Sequence, residues 1–62
     1  MSLSGNIKRL RLEKNLTQEQ LAAKLGVSAQ AVSKWETSET YPDGALLVPL
    51  ANELEGSLDV LF

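Results

Sequence analysis

Gly26 constrains this chain more than any other residue, because it interrupts a run, Thr17–Glu36, whose apolar residues are spaced for helix on both sides. Before it, Leu21 and Leu25 stand four apart and share one helical face, with the small Ala22 beside them. After it, Val32 and Trp35 stand three apart and share another face. Glycine takes a positive φ without a Cβ penalty, so the first helix can end there in a left-handed turn. Val27 then fills the corner, and Ser28 can cap the second helix by accepting a backbone N–H. The spacing therefore predicts two short helices joined by a tight glycine turn, with the rest of the chain as scaffold.

Around this unit the pattern predicts an all-α fold of five helices and no strands. A first helix is expected over Gly5–Lys14, with Ser4 as cap and Leu3, Ile7 and Leu10 on one face. Asn15 suits a left-handed exit from it. Thr17 and Gln20, three apart, form a capping box at the start of the second helix. The third is expected over Ala29–Thr37, followed by a polar loop over Ser38–Pro42. Asp43 caps a fourth helix reaching Leu54, ended by Gly56. Ser57 caps a last turn, from which Leu58, Leu61 and Phe62 return to the core. Pro49 lies within the fourth helix, where it removes one hydrogen bond and crowds the carbonyl of Ala45. A kink is the expected result, since Leu46, Leu47, Leu50 and Leu54 keep one face across it; the alternative is a helix that starts near Val48.

With 62 residues, the chain reads as a single domain over 1–62 with its helix-turn-helix core at 17–36. A chain this short buries only about 60% of its unfolded surface, so its stability should be modest. It contains neither cysteine nor histidine. That excludes disulfides, thiol or imidazole metal sites, and every nucleophilic arrangement built on those residues. No stretch approaches the roughly 18 apolar residues of a membrane span, and no signal-peptide pattern opens the chain. A cytoplasmic protein with no cofactor, no metal, no membrane contact and no evident small-molecule ligand is expected.

The net charge of −2 conceals an asymmetry. All six basic residues precede Thr37, giving +3 up to Glu36, and the remainder carries −5. Such a dipolar chain can offer a positive face to an anion while being acidic as a whole. Its non-specific attraction to DNA should be weak, because that attraction scales with the phosphates neutralised.

Over Thr17–Glu36 the sequence resembles the helix-turn-helix domain of the phage repressor and Cro family, also called the xenobiotic-response-element type. The likeness extends over nearly the whole chain. Ile7-Lys8-Arg9-Leu10-Arg11 with Leu16-Thr17-Gln18 is similar to the family's first helix and its entry to the second. Val32-Ser33-Lys34-Trp35-Glu36 is similar to its third helix, Tyr41-Pro42-Asp43 to the start of its fourth, and Ser57-Leu58-Asp59 with Leu61-Phe62 to its closing turn. The resemblance implies a five-helix, lambda-repressor-like domain that binds operator DNA, usually as a dimer, to regulate transcription. Two departures stand out. Thr37-Ser38-Glu39-Thr40 replaces the family's basic or glycine-containing turn, and Pro49 replaces an ordinary helix residue.

These readings define a candidate site. With Val32 and Trp35 inward, Ser28, Ala29, Gln30, Ser33 and Lys34 face out from helix 29–37, the element expected in the major groove. Gln30 can bond adenine N6 and N7 together, Ala29 can pack on a thymine methyl, and Ser33 and Lys34 reach a base edge or a phosphate. Gln18 opens the second helix, where free amides and the helix dipole favour a phosphate. Ser28, Arg11, Thr37 and Thr40, with the loop's amides, are further phosphate candidates. The resemblance implies that Arg11 pairs with Glu36, tying the first helix to the third. It also implies a dimer contact at Val60, although a frayed, exposed end is an equal reading of that residue.

The expected function is sequence-specific binding of double-stranded DNA by a homodimeric transcriptional regulator, expected to be a repressor, at a pseudo-palindromic operator. The alternative is an antitoxin-like protein-interaction module that keeps the fold and binds a partner through its acidic C-terminal half. An enzyme is not expected, since the serines lack a histidine and no lysine has an evident activating pocket.

Overall fold

In a computed structural model, residues 2–54, 59, 61 and 62 are described. Among them run four helices, α1 (Leu3–Glu13), α2 (Gln18–Leu25), α3 (Ala29–Glu36) and α4 (Gly44–Leu54), with no strand. The expected closing turn falls mostly on Ser57, Leu58 and Val60, which lie outside the described residues, as does Gly56.

Most helix ends are set by local chemistry. Thr17 accepts the Gln20 amide on its hydroxyl at 3.0 Å, and Gln20 Oε1 accepts the Thr17 amide at 2.8 Å, which completes a capping box. Gly26 takes φ 74° and ψ 28°, and the Val27 amide donates back to the Ala22 carbonyl at 3.0 Å. Ser28 caps α3 by accepting the Ala31 amide at 3.1 Å. Asn15, at φ 59°, lets the chain leave α1, with the Leu16 amide closing on the Arg11 carbonyl at 3.1 Å.

Three expectations are corrected, and the expected course of the fourth helix across Pro49 holds. The first helix starts two residues earlier than expected, because Ser2, not Ser4, is its cap: the Ser2 hydroxyl accepts the Gly5 amide at 3.0 Å. Ser4 is instead buried and bonded to the Ser38 hydroxyl at 2.7 Å, a tertiary contact that decides between the two serines. The third helix stops at Glu36, since Ser38 at φ 65° turns the chain back on itself. Phe62 does not return to the core but stands 71% exposed, while Leu61 takes the buried place. The fourth helix does not begin near Val48. It runs unbroken from Gly44, with Asp43 Oδ1 accepting the Ala45 amide at 3.3 Å. Ala45 and Pro49 are both exposed, so water can satisfy the carbonyl that proline leaves without a donor.

The core joins all four helices: Ile7 and Leu10 of α1, Leu21 and Ala22 of α2, Val32 and Trp35 of α3, and Leu50, Ala51 and Leu54 of α4, closed by Leu61. Leu25, Val27, Leu46 and Leu47 pack half-buried around it. Each fully buried Leu, Ile or Val contributes about 1.5–3 kcal/mol. Together they press α2 and α3 against one another and leave the outer side of α3 to solvent.

Candidate nucleic-acid interface

Three helices meet at one carboxylate. Glu36, the last residue of α3, has a side chain only 4% exposed. Its Oε2 accepts Arg11 Nε at 2.6 Å, and its Oε1 accepts Arg11 Nη2 at 3.2 Å and Gln18 Nε2 at 3.0 Å. Arg11 Nη1 donates to the Leu16 carbonyl at 2.7 Å, which fixes the turn between α1 and α2. A carboxylate at a helix C-terminus opposes the helix dipole, and the bidentate arginine offsets that. Such a pair sets geometry more than it adds stability, because desolvating two charges cancels much of their attraction. Among the described residues, no buried side-chain nitrogen or oxygen lacks a partner.

The outward side of α2 and α3 is almost neutral. Gln30 and Lys34 are exposed on α3, with Ala29 and Ser33 half-buried between them and the interior. Neither Gln30 nor the Lys34 ammonium has a side-chain partner among the described residues, whereas Arg9 pairs with Glu13 at 2.9 Å and Lys24 approaches Glu53 at 3.9 Å. At the start of α2, the Gln18 and Glu19 amides make no hydrogen bond among the described residues, as the first turn of a helix requires. Ser28 uses its hydroxyl oxygen to cap α3 and keeps its proton to donate.

The structure brings Gln18, Ser28, Ala29, Gln30, Ser33 and Lys34 to one helix pair, while the side chains of two other candidates, Arg11 and Thr37, carry bonds within the protein. Arg11 is 8% exposed, with donors on Nε and both terminal nitrogens engaged by Glu36 and Leu16, so little of its guanidinium faces out. Thr37 spends its hydroxyl proton on the Lys34 carbonyl at 3.2 Å. The loop amides are also committed: Thr37 to Ser33, Ser38 to Trp35, and both Glu39 and Thr40 to Lys34, at 3.0–3.3 Å. Within 37–40, the Thr40 hydroxyl is an exposed donor with no partner among the described residues. Val60 lies outside the described residues.

Two features of this face are not evident from sequence periodicity. Thr17 is exposed beside Gln18 and, like Ser28, accepts with its oxygen and keeps its proton; its capping role is the available signal. The bond from Gln18 to Glu36 joins residues 18 apart and has no local signal.

Two eight-residue helices joined through a left-handed glycine, the second presenting a free amide and a cation to solvent, define a helix-turn-helix protein. Comparison with known proteins gives the particular family. Residues 7–61 match the family model described as Helix-turn-helix, and the chain belongs to that family. It is 41% identical over 61 residues to the HTH-type transcriptional activator BcrR of Enterococcus faecalis, covering 98% of this chain and 30% of that protein. It is 40% identical over 58 residues to the uncharacterized HTH-type transcriptional regulator YqaE of Bacillus subtilis, covering 94% and 50%. The chain thus spans half or less of the length of these relatives. Among solved structures, the P22 c2 repressor in complex with synthetic operator 9T superposes with a TM-score of 0.92 at 35% identity, covering 100% of this chain and 94% of that one.

Proposed function

We propose that this chain is the sequence-specific, double-stranded DNA-binding domain of a transcriptional regulator, and that it acts in the cytoplasm. The observation that carries the reading is the outward face of α3, where exposed Gln30 and Lys34 stand beside the open first turn of α2. The close likeness to a repressor crystallised on its operator supports it. In this reading α3 enters the major groove, where Gln30 bonds an adenine edge, Ala29 meets a thymine methyl, and Ser33 and Lys34 reach neighbouring base edges. Gln18, Ser28 and Thr40 hold phosphates. Arg11 acts from behind, through Glu36, as a support more than a contact.

Two copies would read a pseudo-palindrome with half-sites roughly 34 Å apart, one turn of the double helix. Val60, which lies outside the described residues, is the residue we propose for their contact. The relatives include both an activator and a repressor, so both signs of regulation are compatible with this domain.

The test is selection from a random double-stranded DNA pool at low and near-physiological salt. A two-fold symmetric site should be enriched, and Gln30→Ala should cost about 1–3 kcal/mol and relax preference at one base pair. Absence of enrichment even at low salt would replace this reading with a protein-binding module.

A further inference from the structure

We propose that Glu36 is a positioning residue for the grip on the DNA backbone: its buried carboxylate aims the side-chain amide of Gln18, holding one N–H inward so that the other is presented to a phosphate. The inference rests on the reading of Gln18 as a phosphate contact. A glutamine at a helix start can turn either end of its amide outward, and the end that carries oxygen is repelled by a phosphate. Here the choice is made in the free protein. Gln18 Nε2 lies 3.0 Å from Glu36 Oε1, so an anionic acceptor selects the nitrogen, and a primary amide nitrogen has a second N–H to offer.

The carboxylate is itself immobilised. Arg11 grips both of its oxygens at 2.6 and 3.2 Å and is tied to the Leu16 carbonyl, so the chain of bonds runs from the turn before α2 through α3 and back to the first residue of α2. Arg11 also cancels the charge of Glu36, which keeps a bare anion from standing behind the phosphate site. The open Gln18 and Glu19 amides lie on the same turn, so side-chain and main-chain donors are ordered together before DNA arrives.

The experiment is a double-mutant cycle on the intact chain with its selected operator, using Gln18→Met, Glu36→Gln and both together. Gln18→Met should weaken binding about tenfold, equally across operator variants and with the salt dependence unchanged, because a neutral hydrogen bond to a phosphate is lost. Glu36→Gln should weaken binding several-fold in the parent and less than twofold once the Gln18 amide is gone. Equal losses in both backgrounds would overturn the proposal, since Glu36 would then act through the fold alone; thermal melts of the free proteins measure that part. Should Glu36→Gln fail to fold, side-chain amide NMR of the unaltered chain decides. A Gln18 Nε2 pair shifted from free-glutamine positions and moved again by DNA supports the proposal, and a freely averaging pair overturns it. If the unaltered chain binds no sequence at all, the DNA-binding reading itself falls, and the first titration reveals that before any variant is compared.

Discussion

Among the described residues, three hold a left-handed backbone where a helix ends, and one of them is glycine: Asn15 at φ 59°, Gly26 at φ 74° and Ser38 at φ 65°. For a residue with a Cβ this conformation costs about 1–2 kcal/mol, somewhat less for asparagine, whose side chain can bond locally. At Gly26 an added Cβ would meet nothing within 4 Å, so Gly26→Ala should lose the backbone term alone, about 1–2 kcal/mol. Ser38 stands in the opposite situation. Its strain is offset by the 2.7 Å bond to the buried Ser4 hydroxyl, which contributes about 0.5–1.5 kcal/mol. Ser38→Gly relieves the strain but leaves the buried Ser4 hydroxyl without its partner, and it should destabilise by up to about 2 kcal/mol. Urea denaturation of the two variants checks both values. A Gly26→Ala protein as stable as its parent would mean that the turn is not left-handed in solution.

At the scale of elements, what the chain declares locally is legible in its sequence and what it settles at a distance is not. The capping box at Thr17 and Gln20, the Gly26 turn and the Ser28 cap all involve residues within five positions, and residue type and spacing alone announce each of them. The choice between Ser2 and Ser4 has no such signal, because both precede the same apolar run and a partner 34 residues away decides it. Serine carries no left-handed signal either, so the loop after α3 reads as open when its amides in fact fold back onto Ser33, Lys34 and Trp35. That difference matters for the candidate site. The outward residues of α3 follow from periodicity alone, but the loop's loss of free amides, and the use of Gln18 by Glu36, depend on the folded arrangement.

At the scale of the molecule, charge is the term that most separates this domain from a strongly basic DNA binder. Among the described residues, the proposed DNA-facing side of α2 and α3 carries one exposed, unpaired cation, Lys34, because Arg11 is neutralised by Glu36. Counterion release should then be small. For a dimer, the slope of log affinity against log salt should be on the order of −2 to −4, and Lys34→Ala should reduce its magnitude by about 1 per protomer. Binding measured between low and physiological salt tests this, and a steep slope would show that cations outside this face do the neutralising. Connectivity is the other property of the whole. Helices α2 and α3 are neighbours in the chain and close on each other through one turn, whereas α1 is held by bonds that span 25, 34 and 55 residues, to Glu36, Ser38 and the Leu61 carbonyl. The entropy of closing those long loops must be met before these ties can form. The helix pair can therefore assemble first, with α1 arriving as the latch that locks it. Substitutions at Ser4, Asn6 and Arg11 should chiefly speed unfolding, while those at Leu21 and Val32 slow folding.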